Sequence, residues 1–435
     1  MADLTDTVVG LTSDLIRIDS SNFGPTTDGP GERVAAEYIA TQLEAVGIES
    51  TLYEAAPGRT TLVARWEPAG VDRSRPPLLI HGHTDVVPAV AADWSVDPFA
   101  GAVIDDYVWG RGAVDMKNFD AMVLAVVQQR QREGRPPARP IRLVFTADEE
   151  AGSRFGASWL VRHHPDEVSD CTEAIGEVGG FSLTLGGRRL YLIETAEKGL
   201  AWLKLVAEGT AGHGSMRQND NAVVTLAEAI ARVGHYRFPR HLHPAQQAFL
   251  EAAGEALGVD LMADSTEATL RQLGGLARMI AATMSHTVNP TVLAAGYKVN
   301  VVPGQASAEL DGRFLPGQRD EFIDTIRDLI GPKVSLEILH EQPSIEADMT
   351  SDLVTAMTAA LRRHDPEAQT VPYLLSAGTD GKAWSQLGIQ CYGFTPLQLP
   401  PELDFSALFH GVDERVPVSA LTFGCRVLDD FLDLA

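Results

Sequence analysis

The sequence predicts an α/β protein, with a catalytic domain built on a mainly parallel sheet with helices on both faces, and an inserted α+β domain. Three observations point there. Apolar runs of strand length alternate with amphipathic helix-length segments through the first half, the pattern of parallel strands joined by helical crossovers. The 435 residues exceed what one ordinary core serves, so two domains are expected. Near Thr195 the alternation gives way to strand, helix, strand, strand, helix, strand, a compact unit in its own right. The expected division is 1–195 for the first part of the catalytic domain, 196–341 for the inserted lid or dimerisation domain, and 342–435 for the remainder.

The elements follow in order. From Gly31-Glu32, apolar Ala35, Tyr38, Ile39, Leu43 and Val46 recur at helical spacing until Gly47 closes the run. Thr61–Trp66 and Pro77–Val87 read as strands. Phe119–Arg132 reads as a helix stopped by Gly134, with Pro136-Pro137 beyond. Ile141–Phe145 is a strand and Phe155–His163 a helix. In the insert, Glu197–Glu208 is a long strand ending in the glycine-rich turn 209–214, and Asn221–Val233 is a helix. Phe238–Met284 carries helical patterns and no strong strand. Thr291–Val302 and Ala306–Phe314 are strands, Asp320–Leu329 a helix and Val334–His340 a strand. Ser351–His364 is a helix, after which the α/β pattern resumes.

Composition excludes several classes. A formal charge of −24 repels nucleic acid and anionic membranes. No apolar run approaches the length of a membrane span. The three cysteines are scattered, with no Cys-x-x-Cys, which suggests reduced thiols and a cytoplasmic protein. The acidic start lacks the basic region of a secretory signal.

The most informative stretch is His81-Gly82-His83-Thr84-Asp85. It closes an apolar strand, where ligand sites of parallel sheets lie. Alternation places His81, His83 and Asp85 on one side. A carboxylate two residues from an imidazole suits a metal-binding His held in orientation. Further acids and a His sit at strand–loop junctions: Asp115 ahead of the Phe119 helix, Asp148-Glu149-Glu150 after the strand ending at Phe145, Glu177 after Ala174-Ile175-Gly176, and His410. Carboxylates crowded at a buried edge repel one another unless a cation neutralises them.

With those residues in view, the chain resembles the M20-type di-zinc metallopeptidases and amidohydrolases. HGHTDVVP, WGRGAVDMK, TADEEAGS, IGEVGG, GTAGHGSM, KVNVVPG, DGRFLPG, SAGTDG and LFHGVDERVPV follow one another in the order of that family's motifs. The resemblance spans about residues 80 to 420 and looks most like the carboxypeptidase S branch. It implies that His83, Asp115 and Glu177 hold one zinc and Asp115, Glu150 and His410 the other, with Asp115 bridging. Two Zn2+ per subunit follow, and Co2+ or Mn2+ suits the same nitrogen and oxygen shell. Asp85 orients His83, and Glu149 is the general base. His81 has no ligand role and is expected to be a hydrogen-bonded strand residue. His213 stabilises the oxyanion from a partner subunit's insert, and Arg313 clamps a substrate carboxylate. Asn300, Gly378 and Thr379 match further substrate contacts. Relatives hold the peptide bond after the bridging Asp in cis, so a cis Asp115–Met116 bond is expected.

The implied activity is hydrolysis of an amide or peptide bond in a small molecule or short peptide with a free carboxylate. An N-acyl amino acid deacylase is the alternative to a carboxypeptidase or dipeptidase. The implied assembly is a homodimer through the insert. A nucleotide enzyme is disfavoured because the 209–214 turn is not Gly-x-Gly-x-x-Gly. A serine hydrolase is disfavoured by the lack of Gly-x-Ser-x-Gly. A non-catalytic binding protein on the same fold should have lost a ligand or the base, and all are present.

Overall fold

The computed structural model describes residues 4–24, 29–263 and 267–435. Its large sheet runs Ser50–Ala56, Arg59–Trp66, Ile141–Thr146, Leu78–His83, Glu173–Gly176, Gln390–Gly393, Arg188–Glu197, Ile345–Glu346. The four strands from Ile141–Thr146 to Gln390–Gly393 are mutually parallel. Antiparallel neighbours flank them, and Gln369–Leu375 adds a parallel partner to Arg188–Glu197. Strand Leu78–His83 is buried along its whole length, as a sheet covered on both faces requires. Leu78 and Ile80 pack into one core with Phe119, Met122 and the C-terminal helix Val418–Leu434. Leu79, of opposite parity, packs with Leu160 and Trp384 on the other face.

Helix Lys117–Glu133 ends at Gly134, whose φ of 68° is the left-handed closure anticipated for that glycine. Lys117 is fully buried and donates from Nζ to the carbonyls of Leu15 and Ile18, at 2.9 and 2.7 Å. Those carbonyls lie at the end of the N-terminal helix Leu4–Arg17, so the lysine caps one helix from the first turn of another. Neither that helix nor strand Ser50–Ala56 is legible in the sequence reading. The helix carries Gly10 and several hydroxyl residues, and the strand is an edge with little burial.

A second sheet of four antiparallel strands runs Thr287–Ala295, Gln305–Phe314, Gly199–Glu208, Val334–Gln342. Its inner face alternates Ala201, Leu203 and Leu205 with Ala306, Ala308 and Leu310. Helices Ala222–His235 and Arg319–Ile330 cover that face through Leu226, Phe322 and Ile326. Period-two alternation therefore turns Trp202 and Arg313 to the opposite face. A bulge at Leu339, between the pairs Trp202–His340 and Leu203–Ile338, puts His340 on that side too.

Two expectations need correction. The inserted domain was read as continuous over 196–341. Instead, helix Pro244–Leu257 buries Phe249, Leu250 and Ala253 in the same core as Leu192, Val371 and Tyr373 of the large sheet. The lid sheet and its helices come from 199–235 and 287–342, while helix Pro244–Leu257 between them returns to the larger body. Helical periodicity reveals an apolar stripe but not which sheet will cover it. The strand expected over Thr291–Val302 also breaks. It stops at Ala295, turns at Gly296 with φ 67°, and resumes as Val301–Val302 paired with Gly212–His213.

The lid has its own core, so Phe322→Ala should cost about 3–5 kcal/mol. Denaturant unfolding is expected to show an early transition in lid probes, with the larger body unaffected.

Candidate metal centre

The candidate site is assembled at the C-terminal ends of the central strands, where loops must diverge. Strand Leu78–His83 delivers His83, and the chain then turns so that Asp85 lies beneath it. His83 Nδ1 lies 3.0 Å from the Asp85 carbonyl oxygen and 3.5 Å from Asp85 Oδ1. Its Nε2 faces Asp115 Oδ1 at 3.1 Å, Glu177 Oε2 at 3.4 Å and Glu149 Oε2 at 4.0 Å. On the far side of Asp115, His410 Nε2 lies 3.2 Å from Asp115 Oδ2 and 3.0 Å from Glu150 Oε2. Asp115 thus stands between two nests of donors, one on each carboxylate oxygen. The Asp115–Met116 peptide bond is cis.

The supports are as specific as the donors. Asp85 accepts the backbone N–H groups of Glu149 and Glu150, each at 3.1 Å, so one buried carboxylate orients the imidazole and fixes the acidic turn. Glu414 accepts the N–H groups of Val114 and Asp115 at 2.6 and 3.1 Å, and pairs with Arg111 at 2.6 Å. Asn22 donates to Asp85 at 2.9 Å and to Asp148 at 3.1 Å. Asp380 accepts from Thr146 at 2.5 Å and also from Ser153, tying the end of strand Ile141–Thr146 to the turn that carries Glu149. Asp148, Val178 and His410 hold left-handed backbone conformations around the site.

The electrostatics follow from burial and crowding. Burial, reinforced by the neighbouring Glu177 charge, pushes the Glu149 carboxyl well above its usual range. Burial raises Glu177 to about 8, and burial with the Asp115 charge raises Glu150. Burial opposes charge on Asp115 as well, but hydrogen bonds from His410 and His83 hold it below the ordinary value. Hydrogen bonds to Asp115 and Glu150 raise His410 to about 10. Burial disfavours charge on His83, yet Glu177, Asp115 and Asp85 lift it well above normal. So many carboxylates in one place favour a divalent cation that neutralises them. The donors fit that role. They are imidazole nitrogens and carboxylate oxygens, and two groups, His83 with Glu149 and Glu177 and His83 with Asp115 and Glu150, place donor atoms within 4.8 Å of one another.

A cleft of about 450 Å3 opens on this cluster. The larger body contributes Asp115, Glu149, Glu150, Glu177, Gly378, Thr379 and His410, and apolar Phe181, Leu375 and Phe409. The lid contributes Leu200, Trp202, Arg313, His340 and Gln342. Arg313 forks onto Asp311, Nε to Oδ1 at 2.7 Å and Nη2 to Oδ2 at 3.1 Å. Trp202 and His340 pack with ring centroids 5.2 Å apart.

Two of the residues anticipated for the site are not brought to it. His213 is exposed, bonded through Nδ1 to Ser215 Oγ at 2.8 Å, and is not among the residues lining the cleft. Asn300 lies in the exposed turn before Val301, also outside the lining. His81 takes no part, since its ring lies against Trp384 and Gly176, one residue pair short of the donors. Burial holds it neutral, with a value near 3. Sequence reasoning missed Asn22, Glu414 and Asp380. The last two sit inside quoted motifs, and their burial was the missing information. Trp202 and His340 carried only strand parity as a signal, and the Leu339 bulge removed that for His340.

Such a donor cluster on an α/β body, opening into a cleft roofed by a smaller domain, defines a metal-dependent hydrolase. The model of peptidase family M20/M25/M40 matches residues 79–434, and the chain belongs to that family. It is 27% identical over 374 residues to a probable carboxypeptidase S-like 2 of Dictyostelium discoideum, covering 82% of this chain and 71% of the relative. It is 25% identical over 411 residues to aminoacylase-1 of Sus scrofa, covering 93% and 90%. Its fold is similar to that of the M20 family metallo-carboxypeptidase Sso-CP2 from Sulfolobus solfataricus, with a TM-score of 0.73, 19% identity and coverage of 100% and 99%. No helix among the described residues is long and apolar enough to cross a membrane.

Asn22→Ala frees Asp85 and Asp148 from a shared donor. Loss of such a support is expected to weaken metal affinity about 10–100-fold. Chelator competition measures it, and unchanged affinity would remove Asn22 from the account.

Proposed function

We propose that the chain hydrolyses an amide or peptide bond in a small substrate bearing a free carboxylate, with two zinc ions per subunit and Glu149 as general base. The observation that carries this is Asp115, which presents its two oxygens to separate donor nests. In this reading His83, Asp115 and Glu177 hold one ion, and Asp115, Glu150 and His410 the other. When bound, the ions supply Lewis acidity and bring the pKa of water toward neutrality. Glu149, buried and lining the cleft, takes the proton of the attacking water and delivers it to the leaving amine. Asp85 keeps His83 oriented throughout. Arg313 meets the substrate carboxylate by giving up its bonds to Asp311, and Gly378 and Thr379 border the bound substrate.

A second reading, deacylation of an N-acyl amino acid, has specific support. The alignment with aminoacylase-1 runs nearly end to end in both chains, and Phe181, Leu200, Trp202 and Phe409 give the cleft an apolar wall for an acyl group. Turnover of a panel of N-acetyl amino acids and dipeptides separates the two. Glu149→Ala is expected to lower kcat at least ~100-fold on whichever class is cleaved. Metal content should be retained. Loss of metal in that variant would make Glu149 a ligand and end its role as base.

We further infer a homodimer through the lid. Strand Thr287–Ala295 pairs on one side only among the described strands, and exposes Val292 at 48% and Leu293 at 68%. His213, absent from its own cleft, would then complete a partner's site with Asn300 nearby. The three buried free thiols suit a cytoplasmic setting. Sedimentation should give a dimer. Mixing inactive His213→Ala with inactive Glu149→Ala subunits should restore up to one working site per mixed dimer. No rescue despite proven subunit exchange would assign His213 to its own chain or to no role.

A further inference from the structure

Two of the chain crossings between the bodies, those near residues 198 and 343, lie side by side. The outgoing chain passes from Glu197 through Lys198 to Gly199. The returning chain passes from Gln342 through Pro343 to Ile345, which pairs with Glu197. Both are held by one side chain. Lys382 is 2% exposed, and its ammonium donates to the Lys198 carbonyl at 2.6 Å and the Pro343 carbonyl at 3.0 Å. It lies 3.1 Å from Glu197 Oε2 as well. Three donors meet three acceptors, so this buried charge is saturated by the crossings alone.

The same segment reaches the cleft. Glu197 also accepts the N–H of Thr379 at 3.0 Å and its hydroxyl at 2.5 Å, and Thr379 lines the cleft. Gly378 rests on the lysine stem, since a Cβ there would lie 2.3 Å from Lys382 Cε. Asp380, between them, holds the turn that carries Glu149 through Ser153. Residues 378–382 thus touch the cleft floor, the Glu149 turn and both crossings.

We propose that Lys382 is a positioning residue for lid closure. It pins the two crossings to the cleft floor, so that the angle at which Trp202, His340 and Arg313 meet a substrate is set by the same bonds that place Thr379. A lysine suits this task because its three donors spread to three separate acceptors, whereas a guanidinium is a planar fork. Fixing these two adjacent crossings together gives closure a shared hinge point at the cleft floor.

The test uses the full-length protein and two readouts. Lys382→Met keeps the stem under Gly378 and removes the ammonium. Glu197→Gln/Lys382→Met removes the buried partner charge too and guards against misfolding. Hydrogen exchange needs no substrate. The backbone amides of 195–201 and 344–347 are expected to exchange at least about tenfold faster in either variant, with the core strand Leu78–His83 unchanged. The kinetic arm rests on the hydrolase reading. There kcat per metal-loaded site should fall about tenfold or more, with metal content unaltered, and Lys382→Arg should recover little of it. Unchanged exchange at the crossings, or kcat within twofold of the parent at full metal loading, overturns the proposal. Faster exchange in a protein that cleaves nothing on the panel would count against the hydrolytic reading and leave the pin standing.

Discussion

Five carboxylates, Asp85, Asp115, Glu149, Glu150 and Glu177, crowd one corner with the buried imidazole of His83, the exposed His410 closes its rim, and the rest of the molecule is arranged around the cost of that crowding. Like charges this close cannot all ionise without a cation or a proton between them. The large sheet makes the corner possible, because parallel strands end together and their loops diverge. Asp85 and Glu414 act as anchors. Each uses a carboxylate to hold backbone N–H groups of a donor-bearing turn. Removing the crowding would leave the strands intact and the turns without a reason for their shape.

Much of the corner is legible in the sequence because strand ends announce themselves. His83, Glu149, Glu150 and Glu177 each follow a short apolar run, and strand pairing brings such ends together whatever lies between them. Asp115 and His410 are different. They follow no long strand, and although their junction positions single them out, the family resemblance is what assigns them as ligands. The anchors Asn22 and Glu414 read as ordinary polar residues, because burial is a tertiary property. The course of Pro244–Leu257 was illegible for a related reason. Its apolar stripe is plain, but its destination depends on which sheet face lacks a cover. The break at Gly296 was hidden by the β-branched residues Val299, Val301 and Val302 around Asn300, which continue a strand-like pattern after the backbone has turned.

The cleft is divided between the two bodies. The larger body holds every residue of the donor cluster, while the lid offers an arginine bonded to Asp311 and a packed Trp–His pair. Substrate is the natural partner for both. Both groups line the cleft from the lid side, so the geometry of the crossings between the bodies bears on how they meet it.

The central claim is that Asp115 bridges two ions and that Glu149 ligates neither. Anomalous diffraction from crystals of the zinc-loaded protein tests it most directly. The account predicts two peaks, one among His83, Asp115 and Glu177 and one among Asp115, Glu150 and His410, with Glu149 close by but outside ligand distance. A single peak held by His83, Glu149 and Glu177, with Asp115 unligated, would contradict it.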